Sequence, residues 1–243
     1  MKIHKTDSAP LSIADALDAN GVRVDMLPEN GRVDDAGICK NYVTSHFSPL
    51  SRFCKRAFDI VVSLILLVVF SPLFLIIYLF IKIGGGPAIY KQERIGKGGK
   101  PFYIYKFRSM KVDAEKDGPQ LSANVEEEKR LTRIGHFIRK HHLDELPQFW
   151  NVLKGDMSFI GPRPERRFFI EKIMEKDPRY VCLYQIRPGI TSYATLYNGY
   201  TDSLEKMLKR LEYDLEYLRH GSFFFDIKIL FKTFISIITG RKP

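Results

Sequence analysis

Two adjacent carboxylates, Asp144 and Glu145, stand in the stretch HHLDELPQFW, directly behind Arg139, Lys140, His141 and His142. Pro147 follows two residues after Glu145. Proline is well tolerated in a first helical turn, because its missing N–H would be unpaired there anyway. The acid pair is therefore expected at or just before a helix N-terminus. There the partial positive charge of the helix, with the neighbouring cations, favours an ionised carboxylate. An ionised Asp144 is competent as a nucleophile or a metal ligand. Two adjacent acids also permit divided labour, one attacking while the other positions a metal or handles a proton. The plainer reading of such a pair is an N-cap followed by a first-turn acid.

Several cations favour chemistry on an anionic substrate. GPRPE, residues 161–165, holds Arg163 between two prolines, which restrict the backbone and fix where the guanidinium points. Arginine binds phosphate oxygens through paired, directional hydrogen bonds. RPGIT, with Arg187, is a second element of this kind. The runs AIYKQERI and FYIYKFRSM flank the turn-like GKGGKP and predict a β-hairpin. Its Lys91, Arg94, Lys106 and Arg108 either face phosphates or decorate a solvated edge ribbon.

The elements that must carry these residues begin with an apolar run. Ile60 to Ile81 contains no charged residue and spans roughly 33 Å as a helix, enough to cross a bilayer core. One ordinary transmembrane helix is the simplest interpretation. Two features oppose it. Arg52, Lys55 and Arg56 precede the run, and Lys82, Lys91, Arg94, Lys97 and Lys100 follow it, so both ends carry the charge that marks a cytoplasmic face. Ser71-Pro72 also sits in the middle, where proline removes a hydrogen bond and a serine hydroxyl can satisfy the freed carbonyl. A helix that enters, bends at Ser71-Pro72 and returns to the same face accounts for both. At its entrance Asp59 has the spacing to pair with Lys55 or Arg56.

Further along, Leu131, Ile134 and Ile138 share a helical face, and Leu146, Phe149, Trp150 and Leu153 recur at helical spacing. RRFFIEKIMEKD predicts another helix, and a helical start is expected around EEEKRL. Asp202 and Glu205 form a capping-box pattern before a helix with the stripe Leu204, Met207, Leu208, Leu211, Leu215 and Leu218, ending at Gly221. The final Phe- and Ile-rich segment, with Lys228 and Lys232, lies either on a membrane interface or in the core. Residues 1–50 read as a polar extension with one short helix near Ser12, residues 51–83 as the membrane element and residues 84–243 as the catalytic part. The fold class is mainly α with a small β-hairpin. The chain has 243 residues and a net charge of +10, which favours anionic partners. Its three cysteines, an odd count without metal-ligand spacing, argue against a disulfide framework and for a reducing, cytosol-facing location. The first twenty residues hold no apolar run, so no cleavable signal peptide is expected.

Together these features point to an enzyme acting on a diphosphate at a bilayer. A membrane-attached nucleic-acid-binding protein would use the charge and the aromatics of FYIYKF but leaves Asp144 and Glu145 without a role. A catalytically silent scaffold is opposed by the intact acid pair and Arg163.

KRAFD (55–59), FSPLF (70–74), QERIGKGGKPFYIYKFRSM (92–110), LDELPQFWNVLKGDMSFIGPRPE (143–165) and RPGIT (187–191) resemble the bacterial sugar transferase family, the small monotopic phosphoglycosyl transferases. The resemblance runs from about residue 52 to the C-terminus. It implies a monotopic membrane protein with one re-entrant helix-break-helix and a catalytic domain carrying interfacial amphipathic helices. Such a protein lies on the cytoplasmic face of the bacterial inner membrane. The implied reaction moves a phospho-sugar from a UDP-sugar to polyprenyl phosphate, releasing UMP and starting glycan assembly. By the same resemblance Asp144 is the nucleophile, forming a covalent intermediate, and Glu145 assists. Mg²⁺ on Asp144 and Glu145 neutralises the diphosphate, Arg139 and Arg163 bind phosphate, with Arg187 a further candidate, and Ser71-Pro72 is the helix break. Membrane lipid is an expected partner, nucleic acid is not, and a homodimer has room to form. Members with an N-terminal bundle of membrane spans are not expected matches, because the chain has only one long apolar run. Where many members read RPGITGWAQVNG, this chain reads RPGITSYATLYNGY, with Ser192, Tyr193 and Thr195 departing in a region that bears on sugar choice.

Overall fold

The apolar run is broken into two helices, α1 (Pro49–Val69) and α2 (Ser71–Ile83), bent by 60° at Phe70. Proline at position 72 cannot donate a backbone hydrogen bond, and Ser71 Oγ donates instead to Val68 O at 2.7 Å. No single described helix is long and apolar enough to cross a membrane, although the bent pair has the length and composition. The pair leaves Val61, Leu64, Ile65, Val68, Leu75, Ile76, Leu79 and Phe80 exposed. The structure, a computed structural model, describes residues 38, 39, 42, 48–114, 129–198 and 201–239. The expected helix near Ser12 and residues 126–128 of the EEEKRL start lie outside these residues.

After the glycine turn come β1 (Ile89–Ile95) and β2 (Pro101–Phe107), an antiparallel pair in the register Ile89↔Phe107 to Ile95↔Pro101. A 3₁₀ turn at Lys97–Gly99 closes this hairpin, with Gly98 at φ 69°. Helix α3 (Arg133–Lys140) is N-capped by Thr132, whose hydroxyl accepts from Gly135 N at 2.9 Å. The short α4 (Gln148–Lys154) ends at Gly155, at φ 99°. Strand β3 (Ser158–Ile160) pairs in parallel with β4 (Gly189–Thr191), a second small sheet that the sequence pattern did not predict. Between them lie α5 (Arg167–Met174) and a 3₁₀ segment, Pro178–Gln185. Helices α6 (Tyr193–Asn198), α7 (Leu204–His220) and α8 (Phe223–Thr239) complete a mainly helical fold.

Three apolar clusters hold these elements. Helices α5 and α7 and the 3₁₀ segment share one, built on Ile170, Ile173, Leu211, Leu215 and Leu218. Cys39 and Tyr42 are part of it, and Cys39 is disulfide-bonded to Cys182. The pairing corrects the expectation drawn from the odd cysteine count: two cysteines distant in sequence meet because Ile38, Cys39 and Tyr42 pack on segment 178–185, leaving Cys54 as the free thiol. A second cluster joins α1, α4, the strands and α8 through Val152, Met157, Tyr217 and Ile229. The third sets α2 against the hairpin and α3 through Ile77, Ile81, Phe107 and Ile138.

Two local expectations change. Ser203, not Asp202, caps α7 by accepting from Lys206 N at 3.3 Å, while Asp202 pairs with Lys206 along the helix face. Asp59 does not bridge to Lys55 or Arg56. It accepts from Ser158 Oγ and Phe159 N, both at 3.1 Å. Lys55 instead pairs with Asp226 and donates to Ile160 O, and Arg56 donates to Val152 O and Leu153 O at the end of α4. The reason is tertiary. This face of α1 lies against α4, β3 and α8, whose unpaired carbonyls and carboxylate are better partners than a neighbour on the same helix. Helix α8 has a buried side with Asp226 and Ile229 and leaves Phe224, Phe231 and Phe234 exposed.

Candidate active site

Asp144 and Glu145 lie in a single 3₁₀ turn, Leu143–Glu145, just ahead of α4. His142 precedes it in the left-handed region at φ 55°, which turns the chain sharply away from α3. Leu143 and Leu146 pack on the cluster formed by α2, the hairpin and α3, so the acid turn shares its apolar footing with the second half of the bent pair.

The two acids differ. Glu145 Oε1 accepts from Lys106 Nζ at 2.6 Å, Lys106 reaching across from β2. Asp144 is buried, 7% exposed, and makes no hydrogen bond among the described residues. Their ionisation diverges accordingly. Burial acts to raise the Glu145 carboxyl, but the charges of Lys106 and Arg163 and the Lys106 hydrogen bond outweigh it and bring the group down to about 2. Burial raises Asp144 above the ordinary carboxylate range, reinforced by Glu145 and only partly offset by Lys106, Arg139 and His142. This reverses the expected effect of the surrounding cations on Asp144: without a hydrogen bond, desolvation dominates.

Lys106, Arg139, His142 and Arg163 thus surround the pair electrostatically. Arg163 is presented by a firmly held loop. Gly161 N donates to Thr191 O at 3.1 Å, Gly189 N to Pro162 O at 2.9 Å, and Ile95 N to Glu165 O at 3.1 Å. A side chain on Gly161 or Gly189 would collide with the opposing backbone. Glu165, 6% exposed, accepts from Arg94 and Arg210, and Arg94 also donates to Pro164 O at 3.2 Å. The Arg163 guanidinium itself makes no hydrogen bond or ion pair among the described residues.

The remaining predicted residues are not joined to the acid pair by contacts. Arg187 Nε donates to Gly155 O at 2.8 Å, beside Arg56 at the far end of α4. Arg108 donates to Gly85 O, in the turn that follows α2. Sequence reasoning missed Gln148, 2% exposed and one turn after the acids, whose Nε2 has no hydrogen-bond partner among the described residues. It also missed Arg210, hidden on an otherwise leucine-rich helix face. A buried amide or guanidinium inside a regular apolar pattern carries no local signal.

Among the described residues no three His, Cys, Asp or Glu side chains converge on a metal position. Mg²⁺ needs no such cage, since it commonly takes one or two carboxylates with substrate phosphates and water. Asp144, with both oxygens unpartnered, and the neighbouring Glu145 fit that donor set.

The family model described as bacterial sugar transferase matches residues 50–240. The chain is 43% identical over 194 residues to the UDP-N-acetylgalactosamine-undecaprenyl-phosphate N-acetylgalactosaminephosphotransferase of Aeromonas hydrophila, covering 79% of this chain and 45% of that protein. It is 45% identical over 190 residues to the UDP-glucose:undecaprenyl-phosphate glucose-1-phosphate transferase of Escherichia coli (strain K12), covering 76% of this chain and 40% of that protein. A protein of the same name from Caulobacter vibrioides is 39% identical over 188 residues, covering 76% of this chain and 70% of the relative. The chain thus spans less than half the length of the first two.

Proposed function

The chain belongs to the bacterial sugar transferase family, and we propose that it transfers a sugar 1-phosphate from a UDP-sugar to undecaprenyl phosphate, releasing UMP. The relatives' names supply the substrate classes. The observation that carries the reading is the contrast within the acid pair: a buried Asp144 without a hydrogen bond beside a Glu145 held ionised by Lys106.

An Asp144 oxygen attacks the β-phosphorus of the donor. The bond from that phosphorus to the bridging oxygen breaks, UMP leaves, and an aspartyl phospho-sugar remains. An oxygen of the lipid phosphate then attacks the same phosphorus, and the Asp144–phosphorus bond breaks to regenerate the carboxylate. Burial supports this role by leaving the nucleophile weakly solvated. Lys106, Arg139 and Arg163 hold the phosphate oxygens, and Glu145 positions or relays a proton. Asp144 and Glu145 would hold Mg²⁺, which would neutralise the diphosphate charge.

The acceptor is a lipid, and the bent pair α1–α2 with its exposed apolar side chains supports a re-entrant element on the cytoplasmic face of the bacterial membrane. Thiol labels near residues 40 and 100 should be accessible from one face; accessibility from opposite faces would reject that arrangement. The reaction is tested by UMP release from lipid-reconstituted protein, using a panel of UDP-sugars with Mg²⁺ and undecaprenyl phosphate. Asp144→Asn should abolish both release and the covalent adduct seen by intact mass. Near-normal turnover by Asp144→Asn would overturn the nucleophile, and no turnover of any donor by the folded native protein would overturn the reaction.

A further inference from the structure

Among the described residues one buried cation has no counter-ion. Arg108 is 8% exposed; its Nη2 donates to Gly85 O, while Nε and Nη1 are buried and have no hydrogen-bond partner among those residues. A guanidinium is permanently charged, and burying it without an acid is among the costlier arrangements a fold can hold. The turn contact uses only one of its five N–H donors.

Its position gives this charge a use. Arg108 N donates to Ala88 O at 2.9 Å, extending the hairpin ladder by one step beyond Phe107. Alternate strand residues share a face, so Arg108 follows Lys106, the residue bonded to Glu145, along one side of the strand. Phe107 takes the opposite side and packs on Phe74, Ile77 and Ile81 of α2. Arg108 therefore links the strand that carries Lys106 to the turn that ends the apolar helix. Above it runs Gly84–Gly86, with Gly85 and Gly86 both at φ 81°. A methyl group on Gly86 would collide with Nη1.

We infer that Arg108 and the Gly84–Gly86 turn form the subsite for the phosphate of the lipid acceptor, separate from the donor diphosphate. The inference rests on the reaction proposed above. An acceptor anchored along α2 brings its phosphate to the level of Arg108, where two unused donors match two oxyanion oxygens. Gly86 lies against one of them, so the turn lifts as the anion enters, a movement suited to three consecutive glycines.

The test uses full-length protein in lipid nanodiscs, with Arg108→Met and Arg108→Lys. With donor alone, Arg108→Met should retain the stoichiometric burst of UMP and the covalent adduct. With acceptor, its KM for undecaprenyl phosphate should rise about 10- to 100-fold, and Arg108→Lys should recover part of the loss. A binding readout independent of turnover is the rise in melting temperature with undecaprenyl phosphate, compared with undecaprenol and with phosphatidic acid. The native protein should respond to undecaprenyl phosphate alone, and Arg108→Met to none. Loss of the donor burst would assign Arg108 to the donor. An equal response to phosphatidic acid with unchanged acceptor KM would assign it to bulk lipid, and identical behaviour of native and Arg108→Met proteins would leave it a clasp for the turn. If the native protein turned over no donor, the reaction would fall, while the phosphate-dependent melting shift and its loss in Arg108→Met would still decide the subsite. Should Arg108→Met not fold by near-UV circular dichroism, a raised acceptor KM in Arg108→Lys carries the proposal and an unchanged one ends it.

Discussion

Replacing Lys106 with methionine isolates the interaction that separates the two acids. Nζ stands 2.6 Å from Glu145 Oε1, with the side chains 19% and 22% exposed. The Glu145 carboxyl lies at about 2 against an ordinary 4.5, which corresponds to about 3 kcal/mol favouring the charged form. Burial opposes this shift, so the attraction by Lys106 and Arg163 exceeds the net figure. Assigning half the net to Lys106 gives about 1.5–2 kcal/mol, a factor of roughly 10 to 30. Lys106 is also the first cation holding Asp144 down against burial. In Lys106→Met both carboxyls therefore move upward, and the acid limb of kcat/KM for UMP release should shift to higher pH. The rate should fall about 10- to 30-fold on that acid limb and recover as pH rises. Stability follows the same sign. A depressed carboxyl contributes stability above its unfolded value of about 4.5, lost as pH falls toward 2. Lys106→Met should lack that contribution and melt lower at pH 7. A folded Lys106→Met protein with a native pH–rate profile would refute the reasoning.

Two further substitutions probe the scaffold. Asp226 is 3% exposed and accepts from Lys55 and from Tyr217 Oη, the latter at 2.6 Å. Asp226→Asn should cost about 3 kcal/mol by stranding Lys55 between α1 and α8, read by denaturant or thermal unfolding, and Lys55→Met with Asp226→Leu should recover much of it. Burial pushes Asp214 up to about 7, Arg210 opposing. It is neutral in the fold below that value but ionised in the unfolded chain above about 4, so this residue makes stability decline as pH rises from 4 to 7 and level off beyond. Asp214→Asn should match the native melting temperature near pH 4 and exceed it at pH 8; a native-like pH dependence would refute the assignment.

Sequence order exposes what neighbouring residues decide. The kink at Ser71-Pro72, the Thr132 cap, the hairpin and the leucine stripe of α7 rest on contacts within a few positions or on a simple period, and each could be read directly. The β3–β4 pair could not, because three-residue strands are too short to display alternation. Nor could the clasp of Glu165 by Arg94 and Arg210, whose partners come from a strand and a distant helix. The acid pair falls between these cases. Its composition and its place before α4 are local facts, but its division of labour is not. Asp144 and Glu145 share the same preceding cations, and counting those charges lowers both. They move in opposite directions because Lys106, 39 positions away, hydrogen-bonds one of them and acts on the other only through its charge, which does not offset the desolvation there. The distinction between the two carboxylates therefore originates in the hairpin, and a change in β2 should alter the chemistry of the pair as surely as a change in the pair itself.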